Sequence, residues 1–184
     1  MKHCKIISLI LSLCLVFGMA CVVSGAEAAG ENQVVYFGNT QWVELEDGKL
    51  LAADVVAQIP YNTSGLSNDW FGSDAKAWCD TYASGLNAPE QAALANIAFL
   101  TQAQAQELDS ATLKASTGWW LASPYAEDAK FAYAVSDAGI IGHPHVAKNY
   151  GARPVLTLNG DRVVLKTPVA KNAEMGLVDN TADQ

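Results

Sequence analysis

Apolar positions recur along this chain in short blocks, and their period changes from block to block. Val34-Val35-Tyr36-Phe37-Gly38 predicts a strand, and Gln41-Trp42-Val43-Glu44-Leu45 alternates as a second strand does. Glu46-Asp47-Gly48-Lys49 has Asp-Gly at its centre, residue types that tolerate positive φ, and Leu50-Leu51-Ala52-Ala53 then completes a hairpin. Asp54 is placed to cap a short helix that runs to Gln58 and is stopped by Pro60. Tyr61 to Gly72 reads as a polar, glycine-containing loop carrying Trp70 and Phe71. At Ser73 the period becomes helical: Ala75, Trp78, Cys79 and Tyr82 share one face, with Ser73 as N-cap. Lys76 stands where a capping box wants Glu or Gln, so the box itself is not expected.

Pro89 opens another helical turn over residues 88–95, and Asn96-Ile97-Ala98-Phe99-Leu100 predicts a buried strand. Thr101-Gln102-Ala103-Gln104 has the capping-box spacing and starts a helix to Leu108. Residues 119–122 read as a strand that Ser123-Pro124 ends. Phe131 to Val135 alternates large with small, and Ser136-Asp137-Ala138-Gly139 turns the chain into Ile140-Ile141. Residues 153–158 and 162–166 flank Asn159-Gly160, a strong hairpin signal. Residues 167–184 lack periodicity and aromatics and predict a mobile tail. Strands and helices alternate without a regular βαβ order, so the expected class is α+β.

The N-terminus speaks to compartment. Lys2, His3 and Lys5 precede an almost wholly apolar run from Ile6 to Val23, and Ala26-x-Ala28 fits a signal-peptidase site. The expectation is a signal peptide over residues 1–28 and a secreted or periplasmic domain, with no membrane insertion after cleavage. A retained anchor is the alternative, because about 18 apolar residues can just span a bilayer. Lipidation at Cys21 is a third reading: Ala20 precedes it, but Gly18 stands where a leucine is usual. Cys4, Cys14 and Cys21 all lie in this leader, so Cys79 remains alone and no internal disulfide is expected. A domain of roughly 150 residues can manage without one, burying about two-thirds of its unfolded surface. Cys79 itself reads as a small buried hydrophobe between Trp78 and Tyr82.

Charge narrows the partners. The chain has 11 Lys+Arg against 19 Asp+Glu, and without Lys2, Lys5 and Glu27 the remainder carries nine against eighteen, a net of −9. No Lys/Arg cluster is present to follow a phosphate backbone, which excludes nucleic acid as an expected partner and disfavours anionic membrane surfaces.

Two short patterns carry a resemblance. Gly118-Trp119-Trp120-Leu121-Ala122-Ser123-Pro124 and Tyr150-Gly151-Ala152-Arg153-Pro154-Val155-Leu156 resemble a bacterial family of exported domains of unknown function. Its members carry Trp-Trp-Leu-Arg-Ser-Pro and end on Gly-Val-Arg-Pro before a short apolar strand. The resemblance extends over Val34 to Leu158, where Ser73 to Trp78 is similar to a family Ser-x-x-x-Trp-Leu helix. It implies a fold related to C-type lectins and sulfatase-modifying enzymes: small twisted antiparallel sheets, with helices near 73–83 and 101–109. The single domain would then occupy residues 29–166. Ala122 stands where the family usually has Arg, so any charge role of that arginine is missing.

Candidate site residues follow from these patterns. Trp119 and Trp120 are adjacent, so on a strand they face opposite ways. Either both are core, one in each of two layers, or one caps a groove and stacks on a sugar or peptide. Arg153 either offers its guanidinium to an anionic ligand or ties loop carbonyls and a nearby Asp together. Trp70 and Tyr125 are the loop aromatics best placed to stack on a ligand. His143-Pro144-His145 puts two imidazoles on one face, short of the third ligand that zinc wants. Glu127-Asp128 suits calcium only if about six oxygens converge.

Enzyme signatures are missing. There is no Gly-x-Ser-x-Gly elbow and no glycine-rich phosphate loop, and no cysteine follows Cys79 to supply the chemistry of sulfatase-modifying enzymes. The expected function is therefore a non-catalytic binding or interaction module of the bacterial cell envelope, for a glycan or a protein ligand, without cofactor or metal. A degenerate modifying enzyme or hydrolase and a structural envelope domain are the alternatives.

Overall fold

Hairpins between consecutive strands are joined into two sheets by pairings between strands far apart in sequence. The computed structural model describes residues 34–45, 47–159, 162–163 and 178–179, all within one compact unit spanning Asn32–Gln184. The predicted leader, its cleavage site and Cys21 lie outside the described residues, as does most of the predicted tail.

The first sheet contains β1 (Val34–Phe37), β2 (Thr40–Glu44), β3 (Leu50–Ala52), β10 (Val155–Leu158) and β5 (Leu94–Ala98), in that spatial order. All its pairings are antiparallel. The β1–β2 turn uses Gly38 and Asn39, both at positive φ (59° and 58°), as a tight two-residue hairpin requires. The second sheet orders β4 (Ala57–Pro60), β9 (Asn149–Ala152), β6 (Trp119–Pro124), β7 (Ala132–Val135) and β8 (Ile141–Gly142). It is mixed, because β6 and β9 run parallel where Trp119 meets Gly151. The helices are α1 (Asp74–Ser84), α2 (Ala88–Ala93), α3 (Gln102–Gln106) and α4 (Ser110–Leu113). Short β11 (Arg162–Val163) pairs with β12 (Val178–Asp179). The class is α+β.

Local capping sets the helix starts. Ser73 accepts from the Lys76 backbone N–H at 3.0 Å without a box. Thr101 and Gln104 form the full capping box expected of them. A second box, Asn87 with Glu90, starts α2, and the Asp109 carboxylate accepts from Ala111 and Thr112 to start α4. Neither of these two was anticipated from the sequence.

Three expectations are corrected. Residues 54–58 are not a helix: Asp54 Oδ1 accepts from Val55 N (2.7 Å) and Ser116 N (2.8 Å), and Ala57–Pro60 pairs with β9. Local capping chemistry was present, but a strand partner about ninety residues away offered a ladder that a one-turn helix cannot match. Asn159-Gly160 does not join two paired strands. Both edges of β10 are occupied, by β3 and β5, so Arg162–Val163 pairs with Val178–Asp179 instead. The strand that begins at Trp119 also continues through Ser123 to Pro124, which sits opposite Ala132.

Two apolar clusters fill the interior. One gathers Trp42, Tyr61, Phe99, Trp120 and Leu156, and the other Leu51, Leu100, Trp119, Leu121 and Val155. Strand alternation divides β10 and β6 between them: Leu156 and Val155 of β10, and Trp120 and Trp119 of β6, fall on opposite sides.

Candidate functional site

The two signature tryptophans are both core. Trp119 and Trp120 are 0% exposed, and each indole N–H has a carbonyl partner: Leu113 at 3.1 Å and Ile59 at 3.0 Å. Neither ring reaches the surface, so the groove-capping alternative gives way to the two-layer one. A buried indole needs its N–H satisfied, and the fold supplies an acceptor in each layer.

Arg153 is buried as well, at 2% exposure. Its Nε donates to Ala52 O (2.8 Å), Nη1 to Thr112 O (2.9 Å) and Leu113 O (3.3 Å), and Nη2 to Ala53 O (3.3 Å). Thr112 and Leu113 end α4, whose last carbonyls have no partner inside the helix. The guanidinium fork therefore ties α4 to the end of β3, while its carbon lies 5.0 Å from the Trp119 ring centroid. Burial pulls its pKa down to about 10, and the charge of Asp54 acts in the opposite direction. At neutral pH the group remains a cation with its donors facing carbonyls.

Trp70 is half-buried, packed against the first core cluster with Phe99 at 5.5 Å and Tyr61 at 6.2 Å between ring centroids. Its neighbour Phe71 is 84% exposed.

Tyr125 lies in a different setting. Its ring stacks on His143 with centroids 4.0 Å apart and planes 11° apart. Tyr133 meets Tyr125 edge-on at 5.7 Å, and Phe131 and Tyr133 both present edges to His143 at 6.2 Å. His143 is exposed, and Tyr125, Phe131 and Tyr133 are half-buried, so the group forms an aromatic plate at the surface. The Tyr125 hydroxyl donates to Glu127 at 2.7 Å. That bond, with smaller contributions from burial and neighbouring charge, raises the pKa of the phenol.

The loop carrying the plate is held from beneath by Asn68. Its amide Nδ2 donates to the carbonyls of Tyr125 (2.8 Å), Phe131 (2.7 Å) and Asp128 (3.3 Å). Tyr61 O–H in turn reaches Asn68 O and Ala122 O, both at 3.2 Å, linking this loop to the first core cluster. His145 faces Phe131 edge-on at 5.6 Å and accepts from Ala147 N through Nδ1. The two histidines are thus drawn into aromatic contacts, and Asp128 accepts from the Lys130 N–H. Sequence reasoning singled out Tyr125 but missed the plate it joins, because Tyr133 comes from β7, Phe131 from the residue before it and His143 from the residue after β8.

A cavity of about 360 Å³ opens elsewhere, between the β2–β3 turn, α3 and α4. Buried Leu45 and Leu100 and half-buried Leu108 supply its apolar wall, and exposed Asp47, Glu107 and Asp109 its acidic mouth. A smaller polar cleft of about 150 Å³ lies where the two signature patterns meet, lined by Gly118 and Tyr150 among others.

Residues 97–160, which include both patterns, match a family described as a domain of unknown function (DUF6273). No curated protein and no solved structure matches the chain.

Proposed function

We propose that this chain is an exported, non-catalytic binding module of C-type-lectin-like architecture, and that the aromatic plate around Tyr125 is where it meets its ligand. The observation that carries the reading is the surface stack of Tyr125 on His143, bordered by Phe131 and Tyr133. Flat aromatic faces with a polar edge are suited to binding surfaces, since they supply contact area at little conformational cost. Asn68 anchors three carbonyls of the supporting loop, so the plate is preorganised. The outer face of such a stack suits the C–H face of a sugar ring, and the Glu127 carboxylate beside it can accept a sugar hydroxyl. The ligand we favour is accordingly an envelope glycan. The N-terminal leader pattern supports export, and both signature patterns lie within the family match.

A glycan and peptide array probed with the purified protein tests this. Glycan binding that is lost in Tyr125→Ala and in His143→Ala, and kept in Phe71→Ala, is the expected outcome. Binding that survives both plate variants would remove the plate from the proposal. A blank array combined with turnover of a substrate pool would favour the enzyme alternative.

A further inference from the structure

We infer that the 360 Å³ cavity is a second binding site, for an organic cation: a primary ammonium on a short alkyl stem. This goes beyond the aromatic plate and does not depend on it. The cavity lies within the roughly 300–1,000 Å³ range of sites that hold small molecules. Its inner wall is apolar, with Leu100 at 1% and Leu45 at 9% exposure, both part of the second core cluster. An alkyl stem entering there would remove its own surface and that of Leu108 from water.

The mouth selects the charge. Its carboxylates come from three separate elements: Asp47 from the β2–β3 turn, Glu107 from the residue after α3, and Asp109 from the start of α4. Their states differ. Asp109 is committed to the backbone and hydroxyl of α4, and Asp47 is paired with Lys49. Glu107 has no side-chain hydrogen bond or ion pair among the described residues. An incoming ammonium therefore has one free partner, Glu107, with the charge of Asp109 close by, while that of Asp47 is offset by Lys49. An anion would meet repulsion from Glu107 and Asp109, and a neutral guest would gain no charge attraction from either. The nearest buried cation, Arg153, lies behind Thr112 with its donors already on carbonyls. An ammonium on a flexible stem matches this division into dry wall and charged mouth. The same chemistry is offered by a free alkylamine and by the lysine side chain of a peptide.

The test is a methyl-detected NMR titration of the full-length protein with n-pentylamine, 1-pentanol and Nα-acetyl-lysine methylamide. Pentylamine is expected to shift the Leu45, Leu100 and Leu108 methyls saturably, and to bind about tenfold tighter than pentanol because only the amine meets the charged mouth. Glu107→Gln should weaken pentylamine about fivefold, the upper range for a pair near the surface, and Glu107→Lys should weaken it further. A lysine derivative that binds as well as pentylamine assigns the site to a peptide side chain, and one that fails while pentylamine binds assigns it to free amines. Leucine methyls unmoved by pentylamine, equal affinity for pentanol, or no change in Glu107→Gln would each overturn the inference.

Discussion

At the scale of single residues, two buried groups make opposite demands. Arg153 has four carbonyl acceptors arranged around a planar fork, and one ammonium cannot reach all of them. Arg153→Lys keeps the charge but strands acceptors at the end of α4. It should destabilise the domain by about 1–3 kcal/mol, visible as a lower denaturation midpoint with an unchanged slope. Cys79 is the reverse case, a buried group with no polar task. It is 0% exposed, and burial pushes its thiol up to about 12, with Lys76 lowering it slightly and Asp80 raising it. The thiolate is the reactive form. In the native protein a thiol reagent should therefore modify Cys79 only at the rate of unfolding, and rapid labelling without denaturant would contradict this.

At the scale of elements, glycine at the crossing of β6 and β9 is a packing requirement. A Cβ on Gly151 would lie 2.4 Å from Val55 Cγ2 and 3.0 Å from Gly118 O, and Gly151 N already bonds that oxygen at 2.7 Å. Gly151→Ala should cost about 1–3 kcal/mol through overpacking. Adding Val55→Ala should recover part of the loss, because the side-chain clash is relieved while the carbonyl contact remains; a thermal melt of the double mutant measures the coupling. Glu90 shows how one cap joins two elements. At 5% exposure it accepts from Asn87 N at 3.1 Å, completing the α2 capping box, and from Gly38 N at 3.2 Å in the β1–β2 turn. Glu90→Ala should lose both, by about 1–3 kcal/mol, where an exposed capping partner would cost less.

At the scale of the whole molecule, acid sensitivity follows from several aspartates held below their ordinary value of 3.8. For Asp74 the leading cause is the Thr63 side chain, and for Asp109 it is the Thr112 N–H. Burial would raise Asp54, but bonds from Ser116 and Val55 and the charge of Arg153 outweigh it. These groups bind protons more readily in the unfolded chain. Their contribution is thus fully present above the unfolded pKa and is lost as pH falls through the lower folded values. Carboxyl-detected NMR should give midpoints for Asp54, Asp74 and Asp109 below 3.8, and unfolding midpoints should be flat at neutral pH and fall in acid.

What the sequence determined by itself was local. The helical face of Ala75 and Cys79, the Ser73 cap, the Thr101–Gln104 box and the strands around Trp42 and Leu51 all depend on neighbours within a few positions, so their patterns are written in order along the chain. That Trp119 and Trp120 face opposite ways was also legible, because adjacent strand residues must diverge, but that both sides are buried was decided by the packing of the two clusters. Tertiary structure decided the rest. Asp54 carries the chemistry of a cap, yet its segment became a strand because β9 was available to pair with it. Asn159-Gly160 carries the chemistry of a hairpin, yet both edges of β10 were already occupied. The Tyr125 plate and the acid-mouthed cavity each draw on separate segments, and no short-range pattern encodes a meeting of side chains whose distance is set by the folding of everything between them.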